Sequence, residues 1–271
     1  MKTILLHVHD DTAQESRLQA AFDLARATGG HISCLQVTAL QDYVAMDMFG
    51  GSYVMPTDIG FIRDQEATSR AEIEARLARE GVSWDWRNMD GDVVRCLLYG
   101  ARLADVIVAT LPPPGRRADN GPLSIVGDLA VSSRCPVLAV PHDVTSFECT
   151  GRAVVAWDGS PEAAVALRAA LPLLQLAEQV NLVTVEESAK KAFPGTHASE
   201  YLSRHGIPSE LHEWPRKDRT IEEALGNAFN ELAADWIVMG AFGHSRLRET
   251  IFGGVTRYLL GAARVPLLLA H

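Results

Sequence analysis

Residues 236–256 have the sequence WIVMGAFGHSRLRETIFGGVT, in which an apolar run precedes a loop with glycines near both ends. The apolar run predicts a buried strand, and the loop has the pattern G-x-x-G, nine residues, then G-G-V-T. A helix is predicted from Arg257 to Ala263. Glycine lets the backbone approach a ligand closely, and the unpaired N–H groups at the start of a helix attract phosphate oxygens. This order of elements is typical of an anion site at the carboxyl ends of the strands in an open α/β sheet.

The two halves of the chain resemble each other in sequence. Residues 104–108, ADVIV, resemble residues 234–238, ADWIV, and residues 134–139, RCPVLA, resemble residues 264–269, RVPLLL, both at an offset of 130. The two apolar runs nearest the start of each half match at an offset of 149 instead. The first half therefore carries extra residues, which the segment 38–62 accounts for. Duplication of one unit explains both offsets.

Helix-start signals lie between the apolar runs. Thr12–Glu15 and Thr220–Glu223 have the spacing of a capping box, and Ser160 followed by a proline predicts another helix start. Short strands that alternate with such helices indicate a parallel sheet covered on both faces. We therefore predict two tandem α/β domains, residues 1–145 and 151–271, whose separate sheets pack through a pseudo-two-fold interface.

The loop of the second half resembles that of the universal stress protein family, whose ATP-binding members carry G-x-x-G, nine residues, then G-[S/T]. Asp158-Gly159-Ser160, after the first predicted strand of that half, is also similar to the opening of this family. The resemblance covers both halves. It implies an open five-stranded parallel sheet of order 3-2-1-4-5 in each domain, with helices on both faces. It also implies a regulatory protein that binds ATP, with or without Mg²⁺, and has no dedicated catalytic residues.

The same resemblance assigns roles to residues of the second half. Asp158 would contact the ribose or the adenine edge, and Val185 would line the base pocket. Residues near the ribose would be Met239 and Gly240. Residues holding the phosphates would be Gly243, Gly253, Gly254, Val255 and Thr256. Asp158 also suits a purely structural role in capping the helix near Ser160, and the two roles are compatible.

Several positions depart from the family pattern. Gly254 stands where Ser or Thr is usual, which removes a hydroxyl contact to phosphate. In the first half, the counterparts of Asp158 and of the three loop glycines are His9, Thr110, Pro113 and Leu123. Proline has no N–H to donate and cannot adopt the glycine conformation. We therefore predict that only the second domain binds ATP.

Net charge, cysteine positions and the lengths of the apolar runs indicate which partners and which cellular compartment to expect. A net charge of -9 argues against a nucleic-acid surface. The four cysteines are scattered, which favours reduced and mostly buried thiols. We see no signal peptide and no apolar run long enough to span a membrane, so we expect a cytoplasmic protein. Its expected partners are an adenine nucleotide and, beyond that, a second copy of itself or a regulatory protein.

The sequence is compatible with two other classes of function. One is slow ATP hydrolysis at the second domain, although no P-loop lysine or paired carboxylates accompany the loop. The other is a protein-interaction scaffold with both sites empty. His7 and His9 point the same way on one strand, but the sequence offers no third metal ligand, and we predict no metal site. The apolar residues of the segment 38–62 suit either a lid on their own domain or a docking surface.

Overall fold

The computed structural model describes residues 1–39, 45–46, 52–53, 56–111, 124–185, 194–242 and 254–271. Strands and helices alternate along both halves. The elements of the first half are β1 (Thr3–Val8), α1 (Gln14–Thr28), β2 (His31–Thr38), β3 (Ala45–Met46), β4 (Ser52–Tyr53), α2 (Pro56–Glu80), β5 (Ser83–Asp90), α3 (Val93–Gly100), β6 (Val106–Thr110), α4 (Ile125–Ser132) and β7 (Val137–Val140). A short 3₁₀ turn, Ala101–Leu103, extends α3.

The second half repeats this alternation. Its elements are β8 (Arg152–Ala156), α5 (Pro161–Leu174), β9 (Gln179–Val185), α6 (Gly195–Arg204), β10 (Glu210–Trp214), α7 (Ile221–Glu231), β11 (Trp236–Gly240), α8 (Gly254–Ala262) and β12 (Leu267–Ala270). The helix predicted from Arg257 therefore begins three residues earlier, at Gly254.

Two of the three predicted helix starts are confirmed. The side chain of Ser160 accepts from the N–H of Ala163, and Thr220 and Glu223 form a complete capping box. The capping box predicted at Thr12 is wrong, because α1 begins after Ala13 without a side-chain cap. The carboxylate of Asp11 instead accepts the N–H of Ala13 and shapes the turn before the helix.

Strand order within each half agrees with the family resemblance. The first half has the order β5-β2-β1-β6-β7 and the second the order β10-β9-β8-β11-β12, with parallel neighbours throughout. Numbered by half, and leaving out the β3–β4 hairpin, both orders are 3-2-1-4-5. Helices cover both faces of the sheet, as the α/β class requires.

The two sheets are joined edge to edge, which the sequence did not predict. Strands β7 and β12 pair antiparallel, with Leu138 opposite Leu268, and so create one continuous ten-stranded sheet. The prediction of two separate sheets packed against each other is therefore wrong. The two sheets join because β7 and β12 are both short, apolar and buried edge strands. Pairing them satisfies backbone groups that two open edges would leave unpaired.

The joint sheet has one helical layer on each face. Helices α1, α2, α5 and α6 pack on one face, and α3, α4, α7 and α8 pack on the other. The connection between the halves adds to the first layer, where the ring of Phe147 meets the buried ring of Trp236 edge-on, 6.3 Å between centroids. Each apolar core thus runs across the β7–β12 joint without a break.

The extra residues of the first half form a hairpin and lengthen a helix. Strands β3 and β4 pair antiparallel, and α2 has 25 residues where its counterpart α6 has 10. The apolar side chains of this segment before residue 60 lie outside the described side chains, and Phe61 is 65% exposed. The lid and the docking surface both stay predictions.

Candidate functional site

The predicted site residues of the second half meet at the carboxyl ends of its central strands. Met239 pairs in register with Ala156 of β8, which in turn pairs with β9 close to its end at Val185. Met239 and Val185 are both buried, and they face the same core. Asp158 follows two residues after β8. The parallel register therefore gathers these residues at one edge of the sheet.

Asp158 shapes the turn into α5 without capping that helix. Its Oδ1 accepts from the N–H of Ser160 at 2.9 Å, while Ser160 supplies the N-cap. The residue is exposed. A structural role thus holds the carboxylate at the rim of the site and leaves it accessible from solvent.

Gly240 is required by the packing of β11 against α5. A Cβ at this position would lie 2.5 Å from the backbone nitrogen of Ala163 and 2.6 Å from the carbonyl carbon of Glu162. Such distances do not occur between a real Cβ and backbone atoms, so the strand and the helix would have to separate. The glycine brings the start of α5 close to the end of β11, and its contact with a ribose stays a prediction.

Hydrogen bonds fix both ends of the glycine loop. Phe242 adopts a left-handed conformation, φ 53°, and its N–H donates to the hydroxyl of Thr256 at 3.4 Å. The N–H of Ala241 donates to the carbonyl of Ala270 at 2.9 Å. Thr256 is only 5% exposed, so this hydrogen bond joins the two ends of the loop below the protein surface. Gly243 and Gly253, the other predicted loop residues, lie outside the described residues.

Helix α8 starts at the open side of this site. Gly254 is exposed and Val255 is half-buried, and the helix begins at Gly254. Glu222, in the first turn of α7, contacts this helix start: a Cβ on Gly254 would overlap its Oε1 and lie 3.6 Å from its Cδ. A carboxylate therefore sits beside the N-terminus of the helix that was predicted to bind phosphate.

The first half fills the equivalent place with an arginine. Arg17, 1% exposed, extends from α1 to the carboxyl ends of β1 and β6. Its guanidinium donates to the carbonyls of His7 and His9, at 3.1 and 2.6 Å. It also donates to both carboxylate oxygens of Asp11, at 3.0 and 2.9 Å, and to the hydroxyl of Thr110. Thr110 is the residue at the position of Gly240, so the internal cation lies where the second half has its site.

Ionisation in this network follows from burial and from Arg17. Burial raises the pKa of Asp11, but the hydrogen bond from Arg17 and the charge of Arg17 outweigh this effect. The pKa of Asp11 is therefore below its ordinary value. Burial, the charge of Arg17 and neighbouring His9 lower the pKa of His7 to about 3. His7 is therefore neutral at pH 7, and its ring stacks on that of His9, 5.9 Å between centroids. The network thus holds one buried cation and one carboxylate beside a neutral imidazole.

Ser124 stands in the first half where Gly254 stands in the second. Its hydroxyl accepts from the N–H of Gly127 at 3.3 Å and so caps α4. Pro113 and Leu123 lie outside the described residues.

The described part of the chain contains no group of three or more His, Cys, Asp or Glu side chains that would hold a metal ion. No helix in it combines the length and the apolar character that crossing a membrane requires. All four cysteines are free thiols.

Sequence comparison places part of the chain in a known family. Residues 150–271 match the model of the universal stress protein family. The whole chain is also similar to a universal stress protein of Synechocystis sp., with 27% identity over 99% of both chains. That similarity spans both halves of the chain.

Two solved structures share the fold along the full chain. A universal stress protein from Archaeoglobus fulgidus has a TM-score of 0.78 at 19% identity, and the match covers 99% of this chain and 97% of that one. A putative universal stress protein from Pseudomonas aeruginosa has a TM-score of 0.65 at 15% identity, covering 99% and 92%. At these identities the likeness is one of fold.

Proposed function

We propose that the chain is a universal-stress-type regulatory protein that binds one ATP in its second half, and the match of residues 150–271 to the model of that family supports this proposal. The two halves are proposed to be domains of residues 1–145 and 151–271. The single observation that carries the proposal is a difference between the two halves at equivalent places, the carboxyl ends of their central strands. At the carboxyl edge of its sheet the second half offers an exposed Asp158 and a helix start, whereas the first half holds Arg17.

The proposed contacts follow the geometry of the second half. Asp158 would meet the ribose or the adenine edge, and the buried side chains of Val185 and Met239 would lie beneath the base and sugar. The backbone of the loop and of the first turn of α8 would hold the phosphates, because N–H groups at a helix start are anion donors. The hydroxyl of Thr256 accepts from the N–H of Phe242, which leaves its own hydrogen free to donate.

The first half is proposed to bind no nucleotide. Displacing Arg17 would leave the buried carbonyl of His7 and the partly buried Asp11 carboxylate and Thr110 hydroxyl without these hydrogen bonds. The first half then serves as a structural partner that shares the sheet through β7 and β12. The cytoplasm is the compartment that we propose, in keeping with four free cysteine thiols.

The identity of the ligand is tested by mass spectrometry of small molecules released from freshly purified, denatured protein. We expect an adenine nucleotide in an amount close to that of the chain. If none is released and added ATP does not bind, the protein is a scaffold and the proposal is wrong. ADP released over many turnovers from added ATP would instead show an enzyme, contrary to a site without dedicated catalytic residues.

A further inference from the structure

Gly254 lies next to the side chain of Glu222. The carboxylate of Glu222 occupies the space that a side chain at position 254 would need. A side chain at position 254 would therefore displace the flexible end of Glu222. In the first half the corresponding helix keeps a serine, Ser124, which caps it. In the second half, a carboxylate from the neighbouring helix α7 lies beside the corresponding helix start.

The position of this carboxylate affects how strongly the start of α8 can bind the phosphates of the ligand. The start of α8 carries the positive end of the helix dipole and unpaired N–H groups, which attract one anionic group. Glu222 already places a negative charge there. A phosphate that approaches Gly254 meets that charge at close range and is repelled by it.

We propose that Glu222 competes with the outer phosphates of the nucleotide for the N-terminus of α8 and thereby sets the selectivity of the site among adenosine, AMP and ATP. This inference rests on the proposed function, because it concerns the same site. Glu222 acts as a selectivity residue: it weakens the binding of polyphosphates and leaves the nucleoside end of the site unaffected.

The adjacent Glu223 provides a matched control. Its carboxylate accepts from the N–H of Thr220 at 2.9 Å and closes the capping box of α7. Glutamine preserves a capping box. Glu222→Gln and Glu223→Gln therefore remove the same charge from neighbouring residues, but only the first removes it from the side of Gly254.

The test is calorimetric titration of the full-length parent and both variants with ATP and with adenosine. Glu222→Gln should raise the affinity for ATP at least tenfold and leave that for adenosine unchanged, because one close charge at an effective dielectric constant of about 20 repels a phosphate by more than that factor. Glu223→Gln should change neither by more than about twofold. Equal ATP affinity of the parent and Glu222→Gln overturns the inference alone, whereas a parent that binds neither ligand overturns the proposed function and the inference with it.

Discussion

Replacing Arg17 with methionine should lower the free energy of unfolding by about 3–5 kcal/mol, the range for breaking a buried charged network by removal of one partner. Methionine keeps much of the apolar stem but none of the donors. The carbonyls of His7 and His9 and the hydroxyl of Thr110 would lose their partner, and each buried unpaired group costs about 1–3 kcal/mol. Asp11 would lose its counter-ion as well.

Denaturant unfolding at pH 7 measures this loss, and a second arginine of α1 is the control. Arg26 pairs with Asp23 and Glu80, but its side chain is 45% exposed. Exposed pairs contribute about 0–1 kcal/mol, so Arg26→Met should be nearly neutral. Similar losses for the two variants would mean that the Arg17 network does not hold the first half together.

Replacing Gly243 or Gly253 with valine should weaken ATP binding by about a hundredfold or more, which is about 2.7 kcal/mol. This prediction comes from the sequence, since both glycines lie outside the described residues. If phosphates lie against the loop backbone, a branched side chain must intrude on them or strain the turn. AMP should be affected less than ATP, because it lacks the outer phosphates.

Two further variants separate loss of the loop from general damage. Gly261→Val lies on α8, where an added Cβ meets no atom within 4 Å, and it should leave ATP binding intact. Asp158→Ala removes one charged hydrogen-bond partner of the nucleoside, worth about 1.5–3 kcal/mol, and should weaken ATP and AMP equally. Folded valine variants that bind ATP as the parent does would show that the loop does not hold phosphate.

Local signals predicted the elements better than they predicted how the elements meet. The capping box at Thr220 depends on residues three apart, so its spacing is visible in the sequence. The antiparallel pairing of β7 with β12 depends on two edges 130 residues apart, and nothing in either apolar run distinguishes an edge that pairs from one that is covered. The failed cap at Thr12 has the same origin, because Asp11 is held by Arg17.

The candidate site shows the same limit. The glycine pattern includes Gly240 and Gly254, but it does not show that the backbone at Ala163 lies against the first and the carboxylate of Glu222 beside the second. Arg17 was missed because a lone arginine in a helix is usually exposed. Its signal would have been its position, one charged residue among the buried positions of α1.

Calorimetric titration of ATP into the full-length chain counts the sites directly. One ATP per chain is expected, because the second half presents Asp158 and the start of α8 while the first half is filled by Arg17. The single site should disappear in Gly253→Val. Two equivalent sites per chain, or no binding at all, would contradict an asymmetric nucleotide-binding protein.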